Sequence, residues 1–201
     1  MHFAQTRRES GRPRVHGDFS LNVTNSITAR HLLACGADTL TASHDLDRRQ
    51  LVQMLEHVPA DRFTVVVHHH VLTFHTEHCV YSHLLSHGQD YRTCGRPCEQ
   101  RQVSLEDRAG FEHPVVVDVG CRNTVFNAKA QSAAFLVPDL IRRSVGRLRV
   151  ECVRETRTEA ALVLAGYRAL IAGELTAKEL VRRIGAVEQY GVTRGTMAVQ
   201  E

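Results

Sequence analysis

Four of the six cysteines in this 201-residue chain stand in one segment, as Cys79, Cys94, Cys98 and Cys121, in the spacing C-x14-C-x3-C-x22-C. Cys94-Gly95-Arg96-Pro97-Cys98 sets two thiols on a tight turn, where both sulfurs can face one centre, and the other two must arrive from flanking segments. A [4Fe–4S] cluster takes one thiolate per iron and tolerates irregular spacing. Structural zinc also accepts four cysteines, but usually from two short C-x2–4-C knuckles, and only one such knuckle is present. The spacing therefore points to an iron–sulfur cluster, with zinc as the alternative ion. The plainer reading is four structural cysteines that happen to cluster, as Cys35 and Cys152 are expected to be small buried hydrophobes.

Other residues have chemistry available to them. His68, His69 and His70 close an apolar run, and alternation sends His68 and His70 to one face and His69 to the other. His68 and His70 are thus candidate proton donors or RNA contacts, against a role as polar residues satisfied at a strand end. Asp18 and Asn22 lie near the end of a first strand, and Ser43, His44 and Asp45 at the end of a second. Asp18 and Asp45 are candidate acids or bases and Asn22 a candidate substrate ligand, with helix capping as the competing role. Arg122 and Asn123 follow Cys121 and are candidate substrate ligands; a planar guanidinium there could hold a carboxylate or phosphate, or simply be solvated. His75 and His78 flank Cys79 without forming an H-E-x-x-H pattern, and suit an outer shell around the thiols. The basic run Arg142, Arg143, Arg147 and Arg149 lacks interleaved aromatics and makes a poor RNA platform. No Gly-rich phosphate loop or Ser nucleophile elbow occurs, and nothing singles out one cysteine as a nucleophile, which argues against a thiol protease.

The elements that must position these residues follow a βα rhythm. Val15–Asn22 reads as a strand, 25–35 as a helix capped by Asn25 or Ser26 and stopped at Gly36, and Asp38–Ser43 as a strand. Asp45 is expected to cap a helix to about His57, and Phe63–His69 reads as a doubly buried parallel strand. The rhythm breaks over 71–125, where Gln102–Leu105 and Val115–Val119 could pair around Ala109-Gly110. It resumes with a helix over about 129–143, a strand at Leu148–Val153 and a helix over about 157–172. Four βα-type strands, near 18, 40, 66 and 150, make about half of a (β/α)8 barrel. The expected organisation is a polar lead-in at 1–14, an α/β partial TIM-type barrel at 15–175 with a cysteine-rich metal-binding insertion at 71–125, and a C-terminal helix and tail at 176–201. A half-barrel exposes two strand edges and an inner face expected to be rich in Val and Leu, so a second half from another copy or a partner chain is expected.

Composition sets bounds on these readings. Apolar residues are 43% and aromatics 5% with no Trp, so the core rests on aliphatic side chains. A net charge of +3 is weak support for nucleic acid, although 13 histidines would add charge in mild acid. No apolar run is long enough to span a membrane, and the N-terminus lacks the apolar stretch of a signal peptide. A cytoplasmic location is expected, where cysteines serve as thiols or ligands before disulfides.

The segments FHTEHCVYSHLLS (74–86), CGRPCE (94–99) and DVGCRNTVFNAKAQS (118–132) resemble the peptidase U32 family, once called collagenase-like proteases. GDFSLNVTNSITA (17–29) and TASHDL (41–46) resemble the stretches that precede this core in long members, so the resemblance runs from about Val15 to Met197. It implies a barrel-type catalytic domain. It also implies an iron–sulfur protein of oxygen-independent hydroxylation, acting on RNA bases or a quinone precursor, with a peptidase label that rests on a few members. The second signature cysteine falls on Cys79, the paired ones on Cys94 and Cys98 and the late one on Cys121. Leu72 stands where many members have the first signature cysteine, Thr64 where they have Glu, and His69 and Glu77 where they have Gly. The peptidase-type signature is thus degraded while four thiols remain, which favours a cluster over a protease.

Overall fold

The structure, a computed structural model, describes residues 13–186; the lead-in before them and the tail after them lie outside the described residues. Its elements in chain order are β1 (His16–Gly17), α1 (Ser26–Ala34), β2 (Thr39–Thr41), α2 (Arg48–Leu55), β3 (Phe63–His69), β4 (Leu72–Thr76), α3 (Val80–Leu85), β5 (Val103–Glu106), β6 (Glu112–Val117), β7 (Asn123–Phe126), β8 (Gln131–Ser132), α4 (Val137–Arg142), β9 (Arg147–Val150), α5 (Arg157–Ile171) and α6 (Ala177–Ile184). They divide into two compact units. Among the described residues, the first holds 13–69, Gln131–Glu151 and 156–186; the second holds His70–Ala130 and Cys152–Glu155.

In the first unit β1, β2, β3 and β9 form a parallel run in that order, with β8 antiparallel to the end of β3. Thr64 pairs with both Thr41 and Arg147, which places β2 and β9 on opposite sides of β3. The α/β class with a parallel sheet is as the rhythm predicts. Among the described residues the sheet does not close into a barrel, and β1 and β9 each pair on one side only.

Period-two alternation sorts the two faces. Phe63, Val65 and Val67 of β3, with Leu40 of β2, pack against Leu51, Leu140, Val163 and Leu180 of the helices. The opposite face carries His16, Thr39, Thr41, Thr64, Arg147 and Arg149 around an open cavity of about 480 Å³. The expected Val- and Leu-rich inner face is therefore polar. The apolar half of each strand points to the helices, and threonine, histidine and arginine positions, with Val66 among them, take the other side.

Local chemistry fixes the helix ends. Asn25 caps α1, its Oδ1 accepting the Thr28 N–H at 2.9 Å. Asp47, not Asp45, caps α2: its carboxylate accepts the Gln50 N–H at 2.7 Å and the Gln50 side chain accepts the Asp47 N–H at 3.0 Å. That reciprocal pair satisfies two helix-end donors at once, which Asp45 has no Gln or Glu three residues on to match. Thr156 with Glu159 and Thr176 with Glu179 repeat the device on α5 and α6. The helix expected over 129–143 shrinks to α4, because Gln131 and Ser132 pair with His69 and His68 and Pro138 fits only a first turn.

The second unit is an antiparallel sheet in the order β4-β7-β6-β5, with α3 against it. The β5–β6 hairpin turns at Asp107–Gly110. Its fully buried apolar core is only Tyr81, Val115 and Val125, against which Cys79, Cys98, Val103 and Val117 pack. Arg154 knits this small core: its Nη2 donates to the Val103 and Val115 carbonyls, both at 2.7 Å, and its Nη1 to Ser104 Oγ at 3.0 Å.

His70 and Glu155 close the second unit. The ring nitrogens of His70 meet the Asn127 carbonyl and Glu155 Oε1, each at 2.8 Å. Burial pushes the Glu155 carboxyl up, but N–H bonds from its own backbone and Val153, with His70 beside it, outweigh this and hold it below 4.5. A carboxylate depressed in the folded state contributes stability that is complete above its unfolded pKa and lost as pH falls through the folded one. Hydrogen-exchange protection of β6 and β7 is expected to stay level above about pH 5 and decline in acid. Glu155→Gln should make that decline shallower; an unchanged acid slope would contradict the assignment.

Candidate metal centre

The four signature cysteines line one cavity of about 580 Å³ in the second unit, together with Tyr81, Tyr91, Pro97, Val117 and Gly120. Each comes from a different piece of local structure. Cys79 is the N-cap of α3, with its Sγ accepting the Ser82 N–H at 3.5 Å. Cys94 closes a turn in which Asp90 accepts the Cys94 N–H at 2.9 Å and the Asp90 carboxylate accepts the Arg92 and Thr93 N–H groups. Gly88 is required there, because a Cβ would sit 2.3 Å from the Thr93 carbonyl carbon. Gly95 and Arg96 follow with φ of 67° and 51°, reversing the chain so that Cys98, on a short turn begun by Pro97, returns to the same cavity. The Arg96 N–H points back to Cys94 Sγ at 3.4 Å.

Cys121 occupies the β6–β7 loop with φ of 62°, an uncommon conformation for a residue with a side chain. Asp118 holds that loop, accepting from the Gly120 and Arg122 N–H groups at 2.8 and 3.0 Å. Asn123, fully buried, accepts the Val80 N–H at 2.7 Å and so ties the start of α3, beside Cys79, to the strand that follows Cys121. The four thiols therefore rest on turns and loops fixed by hydrogen bonds from backbone N–H groups to the Asp90, Asp118 and Asn123 side chains. Burial, and then the neighbouring Cys79, Glu99 and Cys94, push the Cys98 thiol above 9.0. The donor set fits a group that takes four thiolates: four sulfurs face one cavity, and two of them accept backbone N–H bonds that stabilise sulfur charge.

The remaining candidates fall in various places. Arg122 is held by Asp118, with Nη2 at 2.7 Å from its carboxylate, and the pair holds the Asp118 carboxyl below 3.8. His70 belongs to the second unit with its Glu155 pair, while His68 lies in the first, buried edge-on against the Tyr167 ring at 6.0 Å. Alternation had put them on a common face, but β3 ends at His69 and His70 starts the other unit. Asp45 accepts from Ser43 Oγ at 3.2 Å. Asn22 ends a short turn in a left-handed conformation, and Asp18 begins it, accepting the Phe19 N–H at 2.8 Å. Cys35 is half-buried and Cys152 exposed, so neither is the buried hydrophobe expected.

The carboxyl ends of the parallel strands gather a second set of polar groups in the first unit. His44 follows β2, His69 ends β3 and Glu151 follows β9, and one ligand atom from each lies within 4.8 Å of the others. Arg149 joins Glu151 Oε1 at 2.6 Å and Asp18 Oδ1 at 2.8 Å. Burial holds the His44 imidazole below 6.5, although the Glu151 carboxylate pulls the other way. Glu151 was not singled out from sequence, and Arg149 was read only as part of a basic run. The signal available was their position at a strand's carboxyl end, where βα folds keep their chemistry.

A family model of peptidase family U32 matches residues 3–194, and the chain belongs to that family. No curated protein and no solved structure matches it. Among the described residues no helix is long and apolar enough to cross a membrane.

Proposed function

We propose that this U32-family chain binds a [4Fe–4S] cluster through Cys79, Cys94, Cys98 and Cys121 and works within an oxygen-independent hydroxylase of RNA or a small aromatic substrate. The observation that carries the reading is the convergence of four thiols, from four separate pieces of local structure, on one cavity. One further point supports it. The second unit has an apolar core of Tyr81, Val115 and Val125 alone, too little to order such a segment without a staple.

The cluster, when bound, supplies one-electron chemistry tuned by the charge and hydrogen bonds around its sulfurs. The chain's own residues set that environment. The N–H groups of Ser82 and Arg96 reach the Cys79 and Cys94 sulfurs, and the Asp118–Arg122 pair fixes the loop of Cys121. The polar strand-end face, with Asp18 and Arg149, is suited to hold a substrate. The family label suggests a peptidase instead, but nothing in the spacing singles out one thiol as a nucleophile, and burial raises the Cys98 thiol.

The test is a deletion strain grown without oxygen. Its RNA nucleosides and small aromatic metabolites should lose one species carrying an added oxygen, restored by the parent chain and not by Cys98→Ala. An unchanged profile, together with gelatin cleavage by the metal-replete protein, would overturn the proposal.

A further inference from the structure

The geometry points to a second, separate metal site in this chain: His44, His69 and Glu151 form a three-ligand centre for a borderline divalent transition ion, of the zinc or ferrous class. The three residues come from the carboxyl ends of three parallel strands, and their ligand atoms already lie within 4.8 Å of one another. Ligand atoms at 2.0–2.2 Å from one ion sit about 3–3.6 Å apart, so small side-chain rotations complete the site.

Each ligand is held in place from behind. The His44 ring stacks on Phe19 at 4.8 Å with an interplanar angle of 18°, which fixes its plane. The His69 ring meets it at 4.5 Å, tilted by 60°, so the two imidazoles converge without lying flat on each other. Glu151 is anchored by its N–H on the His68 carbonyl at 2.8 Å, and Arg149 takes its Oε1 at 2.6 Å, leaving the second oxygen for the ion. Outer partners of this kind orient ligands and tune the ion. Two imidazoles and one carboxylate favour zinc, iron or nickel over magnesium or calcium, which want oxygen donors throughout. Three protein ligands leave positions open, the mark of a site that binds water or an oxygen-bearing substrate instead of a purely structural one. The thiols of the second unit are softer and are no part of it.

Cobalt(II) is the probe. It is titrated anaerobically into the full chain and followed by visible absorption, where nitrogen and oxygen ligation gives weak d–d bands and thiolate ligation gives intense charge transfer. Read as a difference against the cobalt-free, cluster-loaded protein, the parent should gain one equivalent with d–d bands and no thiolate charge transfer. His69→Ala and Glu151→Gln should each weaken that equivalent by about tenfold or more, while His57→Ala leaves it unchanged. Glu151→Gln preserves side-chain size and decides the matter if His69→Ala fails to fold. A parent without the nitrogen–oxygen spectrum, or a folded Glu151→Gln that binds cobalt as the parent does, would overturn the site.

Discussion

Cys98→Ala protein, purified without oxygen, is expected to contain no acid-labile sulfide and no cluster iron, and Cys79→Ala, Cys94→Ala and Cys121→Ala are expected to behave alike. Each thiolate serves one iron, so loss of any one opens the core to solvent and loss of the cluster. Cys98 packs against the Tyr81–Val115–Val125 core, so an alanine there also leaves a gap beside the cavity. Cys35→Ala and Cys152→Ala should load as the parent does, since neither lines the cavity; Cys35 lies beside His31 in the first unit, and Cys152 is exposed. Iron and acid-labile sulfide analysis with visible absorption reads all six variants. Full iron content in Cys98→Ala would remove it from the ligand set.

Stripping the metal should have the second largest effect, and a local one. Three buried apolar side chains contribute about 1.5–3 kcal/mol each, which is small beside the conformational entropy of ordering the segment from His70 to Ala130. Metal–thiolate binding adds folding free energy on the order of 10 kcal/mol in small metal-dependent domains. Chelation under reducing conditions is therefore expected to abolish amide protection in β5, β6 and β7 and to admit proteolysis around residues 88–101. Protection of β3 and α5 should persist, because Phe63, Val65, Val67, Val163 and Leu180 form a larger aliphatic core of their own. Undiminished protection in β6 after complete metal removal would show that the unit stands on its hydrogen bonds alone.

Much of the first unit is legible in the sequence because its signals are local. Phe63–His69 carries the unbroken apolar run Val65–Val67, Asn25 is an N-cap with an apolar periodic stretch behind it, and Thr156-x-x-Glu159 is a capping box. The pairing of Asp47 over Asp45 is hidden, since Asp-Leu-Asp offers two caps and only the reach of Gln50 decides between them. In the second unit β4 and β7 escape notice. The residues of β4 are mostly exposed, so no one-sided burial imprints a pattern on Leu72–Thr76. Asn123 reads as a candidate substrate ligand beside Cys121, whereas the fold buries it to bond Val80, a partner 43 positions away. The same limit hides Glu151: its meaning comes from His44 and His69, which only the parallel pairing of β2, β3 and β9 brings to it.

The cysteine spacing tells that thiols gather but not what they hold, and one measurement addresses this most directly. The parent chain is purified anaerobically and its iron and acid-labile sulfide are quantified per chain, with Mössbauer spectra of the iron-57-enriched protein. About four iron and four sulfide per chain, in a brown protein, is the predicted result. A colourless protein with stoichiometric zinc on its thiols and no sulfide would contradict the cluster and, with it, the hydroxylase reading.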